Sequence, residues 1–191
     1  MKDWQGQIER DKTFATQQLL DHGEVRPMLI LHTPHDGIKV MLLSFPDDRT
    51  KQLMHAAVRM MAIAYAADGA VMITEAWMAI GMKEDEKHPD MPSVMPRDRE
   101  DKKEVVLVAS SYRDEAGEQH QRVATLEILR DAAGKPTGVA DISMHHGEMR
   151  SRWLDVLPPP GVPPALREAA RTAIEELGVL SQIGLPVGGR A

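Results

Sequence analysis

A chain of 191 residues with 42% hydrophobic side chains can bury one sizeable core but is short for two full domains. Its formal charge of -6 excludes broad electrostatic binding to nucleic acid, which needs cations to displace counterions from phosphates. The absence of cysteine excludes a disulfide framework, a thiolate nucleophile and a cysteine-ligated metal centre, so any metal must use His or carboxylate ligands.

The opening stretch MKDWQGQIERDK lacks the apolar core of a signal peptide. No apolar run approaches the roughly 20 residues of a spanning helix, so the expectation is a cytoplasmic protein with no membrane contact. From Trp4 to about Asp21, the apolar residues Trp4, Ile8, Ala15 and Leu19 recur near the helical period, and Gly23 supplies a stop. The runs MLILHT and IKVMLLSF are joined by PHDG, whose Asp-Gly pair signals a hairpin. Asp47 or Asp48 then caps a helix carrying Leu53, Met54, Val58, Met60, Met61, Ile63 and Tyr65 among alanines. Beyond Arg59 nearly every side of it is apolar, which predicts a long buried helix. A glycine directly before DGAVMITEAWMAI's apolar run, Gly69, is expected to stop it.

That run reads as a strand, as do KEVVLVASSY, QRVATLEILR and TGVADISMHH, linked by the turn compositions RDEAGEQ and RDAAGKP. The predicted fold is therefore α+β, a mostly antiparallel sheet in the order β-β-α-β-β-β-β. One long buried helix lies on one face, and helices stand at both ends of the chain. Residues 1–157 form this domain, and 158–191 form a Pro-rich arm, a short amphipathic helix and a tail. The helix carries Leu166, Ala170, Ala173, Ile174 and Leu177 on one side and must dock on its own domain or on a neighbouring subunit.

Glu75 poses the main chemical question, since it shares a strand face with Val71, Ile73 and Trp77. A carboxylate there needs a partner or solvent. The leading expectation is that it anchors the following loop through Arg97 or Arg99, with Trp77 packed beside it. The catalytic reading makes Glu75 a general acid or base of raised pKa, paired with Asp98, Glu100 or Asp101 either to share acid and base roles or to bind a divalent ion. For metal binding, His32, His35 and Asp36 cluster at the first hairpin, and His145, His146 and Glu148 lie near the end of the last predicted strand. Their spacing matches no metal signature, so no cofactor is favoured and these read as turn or surface histidines. No phosphate-binding glycine loop and no G-x-S-x-G nucleophile elbow occurs.

The segments PMLILHT, AVMITEAWM, PSVMPRDRE and VVLVASS together resemble a group of uncharacterised conserved proteins of bacteria and phages. The resemblance spans roughly 27–111 and rests on Glu75, Ala76, Trp77, Pro92, Ser93, Arg97 or Arg99, and Glu104. It implies a phage-related setting and names no substrate, cofactor or catalytic residue. Two function classes follow. The first is a noncatalytic interaction or regulatory module that forms a homo-oligomer or binds another protein. The second is a small carboxylate- or metal-dependent hydrolase using Glu75 and the loop acids.

Overall fold

The computed structural model describes residues 3–35, 37–44, 47–79, 98, 100–142 and 155–176. The first helix, α1 (Trp4–His22), is closed at both ends by its own sequence. Asp3 accepts the Gly6 N–H at 2.8 Å, and Gly23, at φ +80°, returns its N–H to the Leu19 carbonyl. Its buried residues are Ile8, Asp11, Ala15 and Leu19, a stripe of i, i+3 and i+4 steps that includes one carboxylate.

The predicted hairpin is formed by β1 (Met28–His32) and β2 (Ile38–Leu42), antiparallel with Ile30 opposite Val40. Thr33 closes the turn, donating both its N–H and its hydroxyl to the Gly37 carbonyl. All five residues of β1 are buried. Helix α2 (Asp48–Ala64) is capped by Asp47, whose carboxylate accepts the Thr50 N–H at 2.6 Å. It is not wholly buried. Ala57, Val58, Met61, Ala62 and Ala64 face the core, while Leu53 stands 64% exposed, so α2 is an amphipathic outer layer. The helix also ends before Gly69: Tyr65 is the cap, and Ala66 makes the reversal at φ +49°.

Four further strands follow, β3 (Gly69–Ala79), β4 (Lys102–Arg113), β5 (Gln119–Arg130) and β6 (Pro136–Asp141). The six form one sheet in the order β2-β1-β3-β4-β5-β6, every neighbour pair antiparallel. The last helix, α3 (Pro164–Glu176), completes the α+β fold.

Helices cover both faces of the sheet. Ala15 and Leu19 of α1 pack on Met28, Ile30, Val71, Ile73, Val106, Val108, Leu126 and Ile128. On the opposite face, α2 and α3 enclose Leu29, Leu31, Met41 and Ala70, joined by Val156 and Leu157. The reason lies in β1, β3 and β4, whose alternate residues are apolar on both sides, so a single helical layer would leave one apolar face in water. Burying a Leu, Ile, Val or Met side chain stabilises by roughly 1.5–3 kcal/mol, which makes the two-sided arrangement decisive. Helix α3 docks on its own chain, with Ala170 and Ile174 buried and Arg171 Nε donating to the Ala64 carbonyl at 3.2 Å. Among the described residues, no helix is long and apolar enough to cross a membrane.

Candidate functional site

Glu75 lies on the α1 face of β3, opposite Val106 of β4 and just beyond the C-terminal end of α1. Its Oε1 accepts the main-chain N–H of Val25 at 2.6 Å, in the segment between α1 and β1. The carboxylate therefore ties the exit of α1 to the centre of the sheet. Partial burial raises the Glu75 pKa; the Val25 N–H opposes that rise, the charge of Glu104 adds to it, and Arg130 lowers it. Glu104 and Arg130 form a two-pronged pair, with Nη2 to Oε1 at 2.6 Å and Nε to Oε2 at 2.7 Å. Trp77 stands opposite Glu104, 45% exposed, with Lys102 Nζ 5.1 Å from its ring centroid.

The expected arginine partners Arg97 and Arg99 lie outside the described residues, as do Asp36, His145, His146 and Glu148. Among the described residues, the cation whose charge lowers the Glu75 pKa is Arg130, from a strand 55 positions further along the chain. Asp98, Glu100 and Asp101 are exposed.

The histidines of the first hairpin separate. His35 is exposed in the turn, whereas His32 ends β1 and is buried against α1. Its Nε2 approaches Asp11 Oδ2 at 3.3 Å without the alignment of a hydrogen bond, and Asp11 Oδ1 accepts from Gln7 Nε2 at 3.2 Å. The strand carries His32 inward because β1 alternates, placing His32, Ile30 and Met28 on the α1 side.

His32 begins a row that crosses the sheet. Gly69, Tyr112 and His120 are the successive register partners, and the Trp4 indole fills the space above Gly69. Trp4 meets His32 edge-on at 5.9 Å and stacks on Tyr112 at 5.1 Å, and Tyr112 stacks on His120 at 5.2 Å. Trp4 Nε1 donates to the Arg113 carbonyl at 3.0 Å, which fixes the indole in this column. At the far end His120 Nε2 and Asp114 Oδ2 lie 2.8 Å apart. Two His–Asp pairs thus terminate one aromatic column. Ser110, also buried on this face, sits on β4 with β3 between it and His32, a separation of two strand spacings or roughly 10 Å, too far for a His–Ser pair.

Asp114, Glu118 and His120 form the one group among the described residues with a metal-ligand geometry, their ligand atoms all within 4.8 Å of one another. They would supply two oxygens and an imidazole nitrogen to a divalent ion. The hydrogen bond from His120 is the main cause of the lowered Asp114 pKa, partial burial opposes it, and the Glu118 N–H assists it. In the sequence this trio reads only as a turn, because RDEAGEQH shows the composition of a hairpin link and no ligand signature.

Two shallow clefts flank α1. One, about 300 Å³, lies between α1, at Glu9, Lys12 and Thr16, and strands β5 and β6, at Leu126 and Val139. The other, about 210 Å³, opens between Trp4, Gln7, Arg10, His32 and Ile38. Neither contains Glu75. Comparison with protein-family models, with curated proteins and with solved structures gives no match.

Proposed function

We propose that this chain is a noncatalytic protein-interaction module that self-associates, and that its paired acids and histidines hold the fold together. The observation that carries the reading is the bond from the Val25 N–H to the Glu75 carboxylate. It gives a carboxylate flanked by apolar groups on its strand face a structural partner. Asp11 faces His32, Glu104 holds Arg130, and Asp114 holds His120 in the same manner. Both clefts are small and open, and neither contains Glu75. In contrast, Ile38, Leu42 and Trp77 present large apolar surface to solvent.

Sedimentation velocity over a range of concentrations tests this. Concentration-dependent association supports the module. A protein that stays monomeric at every concentration, or that hydrolyses a simple ester or phosphate in a manner abolished by Glu75→Gln, overturns it. The competing hydrolase reading draws support from the Asp114–Glu118–His120 group alone. A stoichiometric divalent metal retained by the purified protein and lost on His120→Ala would favour it.

A further inference from the structure

The outer edge of the sheet at β2 is built unlike a protected edge. Strands at sheet edges are commonly guarded by outward charges, especially lysine. The single charge in β2 is Lys39, and its ammonium is drawn back over the Tyr65 ring, 5.0 Å from the centroid. Met41 is fully buried on the same side. The other side presents Ile38, Val40 and Leu42 in a row, with Ile38 56% and Leu42 45% exposed. Among the described residues, no strand lies on the side of β2 away from β1.

We infer that β2 pairs with β2 of a second copy, antiparallel about Val40, so that two six-stranded sheets run into one across a two-fold axis. This rests on the reading of the chain as a self-associating module and names the surface that does it. The register follows from the side chains. Centred on Val40, the pairing sets Ile38 opposite Leu42 twice and Lys39 opposite Met41, so each exposed apolar residue finds an apolar partner and no like charges meet. Centred on Lys39, it would oppose two lysines. Centred on Met41, it would set Ile38 against Ser44.

The cleft beside Ile38 supports the same occupant. In the Val40 register, Leu42 of the second copy arrives directly against Ile38, at the lip of the 210 Å³ hollow walled by Trp4 and His32. The two-fold repeats the contact, so one protruding leucine meets one apolar lip on each side. Charge adds a signature. Two bodies of formal charge -6 repel at long range, so an apolar contact between copies strengthens as salt screens them, whereas capture of a basic partner would weaken.

The chain's lack of cysteine permits a register-specific test. Residues directly opposite across antiparallel strands lie at Cα separations of about 4.5–5.5 Å, within reach of a disulfide. Ile38→Cys and Leu42→Cys, mixed and mildly oxidised, are expected to give the mixed disulfide in several-fold excess over the products of either variant alone. Sedimentation of the Ile38→Glu/Leu42→Glu protein, with circular dichroism confirming its fold, is expected to show half the wild-type mass. A wild type that associates while the Glu variant does so equally, with no preference for the mixed disulfide, overturns the β2 edge and leaves self-association standing. A wild type monomeric across the micromolar range, as expected if a foreign partner occupied this edge, overturns both.

Discussion

The Trp4 indole rests directly on the backbone of Gly69, in space that a side chain would occupy: a Cβ there would stand 2.4 Å from Trp4 Cη2 and 2.5 Å from Cζ3. Those atoms belong to a ring held by stacking on Tyr112 and by its bond to the Arg113 carbonyl, so they cannot swing aside freely. Gly69→Ala is expected to lift the indole out of the column and destabilise the fold by about 2–3 kcal/mol. Denaturant unfolding measures the loss, and fluorescence in a background with Trp77 and Trp153 replaced by Phe reports whether the ring has moved to water. Unchanged stability and emission would show that the ring is not seated there.

Asp11 and His32 form a pair buried between α1 and β1. Removing one member leaves the other polar and unpaired, so Asp11→Ala is expected to cost about 3 kcal/mol. The combined Asp11→Leu/His32→Leu variant should cost less than the two single changes added, by about 1–2 kcal/mol. A double-mutant cycle by urea denaturation checks this, and strict additivity would mean that the two groups do not interact.

Burial raises the Glu75 carboxyl above its ordinary range, so the folded protein holds that proton more tightly than the unfolded chain. Stability should therefore fall as pH rises from the ordinary carboxylate range through the raised value, and level off above it. Glu75→Gln removes this slope and retains an oxygen for the Val25 N–H. Glu75→Ala removes the acceptor and is expected to cost about 1–2 kcal/mol at neutral pH. Unfolding at a series of pH values separates the three proteins, and a wild-type profile parallel to that of Glu75→Gln would be the contrary result.

Asp114 behaves in the opposite sense. Its pKa is lowered, first by the hydrogen bond with His120, so its contribution is present above the ordinary Asp range and disappears as pH falls through the lowered value. Asp114→Asn should be less stable than wild type near neutrality and converge with it in acid. Thermal unfolding from neutral to strongly acid pH tests the convergence.

Much of the fold is legible because local chemistry agrees with it. The Asp47 cap, the Gly23 stop and the order of strands all follow from short-range signals. The second helical layer was also written in the sequence, in the unbroken apolar run of β1 and the two apolar sides of β3 and β4, though a single long buried helix is the simpler expectation. Asp11 left a trace too: Ile8, Ala15 and Leu19 continue a helical stripe whose missing position is 11. What could not be read is contact between distant segments. Trp4 meets the Arg113 carbonyl across 109 positions, and nothing local to either residue announces it. Glu75 is intermediate: its need for a partner follows from its apolar neighbours, but a main-chain N–H from residue 25 has no residue-type signature.

The layer opposite α1 is shared by α2 and α3, and α3 (Pro164–Glu176) lies at the other end of the described chain from α1 (Trp4–His22). During vectorial synthesis, α1 emerges first and can shelter one face of each strand as it leaves the ribosome. The face carrying Leu29, Leu31 and Ala70 receives Ile174 only when almost all of that chain has been made. A nascent chain stalled before position 164 holds this apolar surface incompletely covered, a substrate for holdase chaperones and a seed for aggregation.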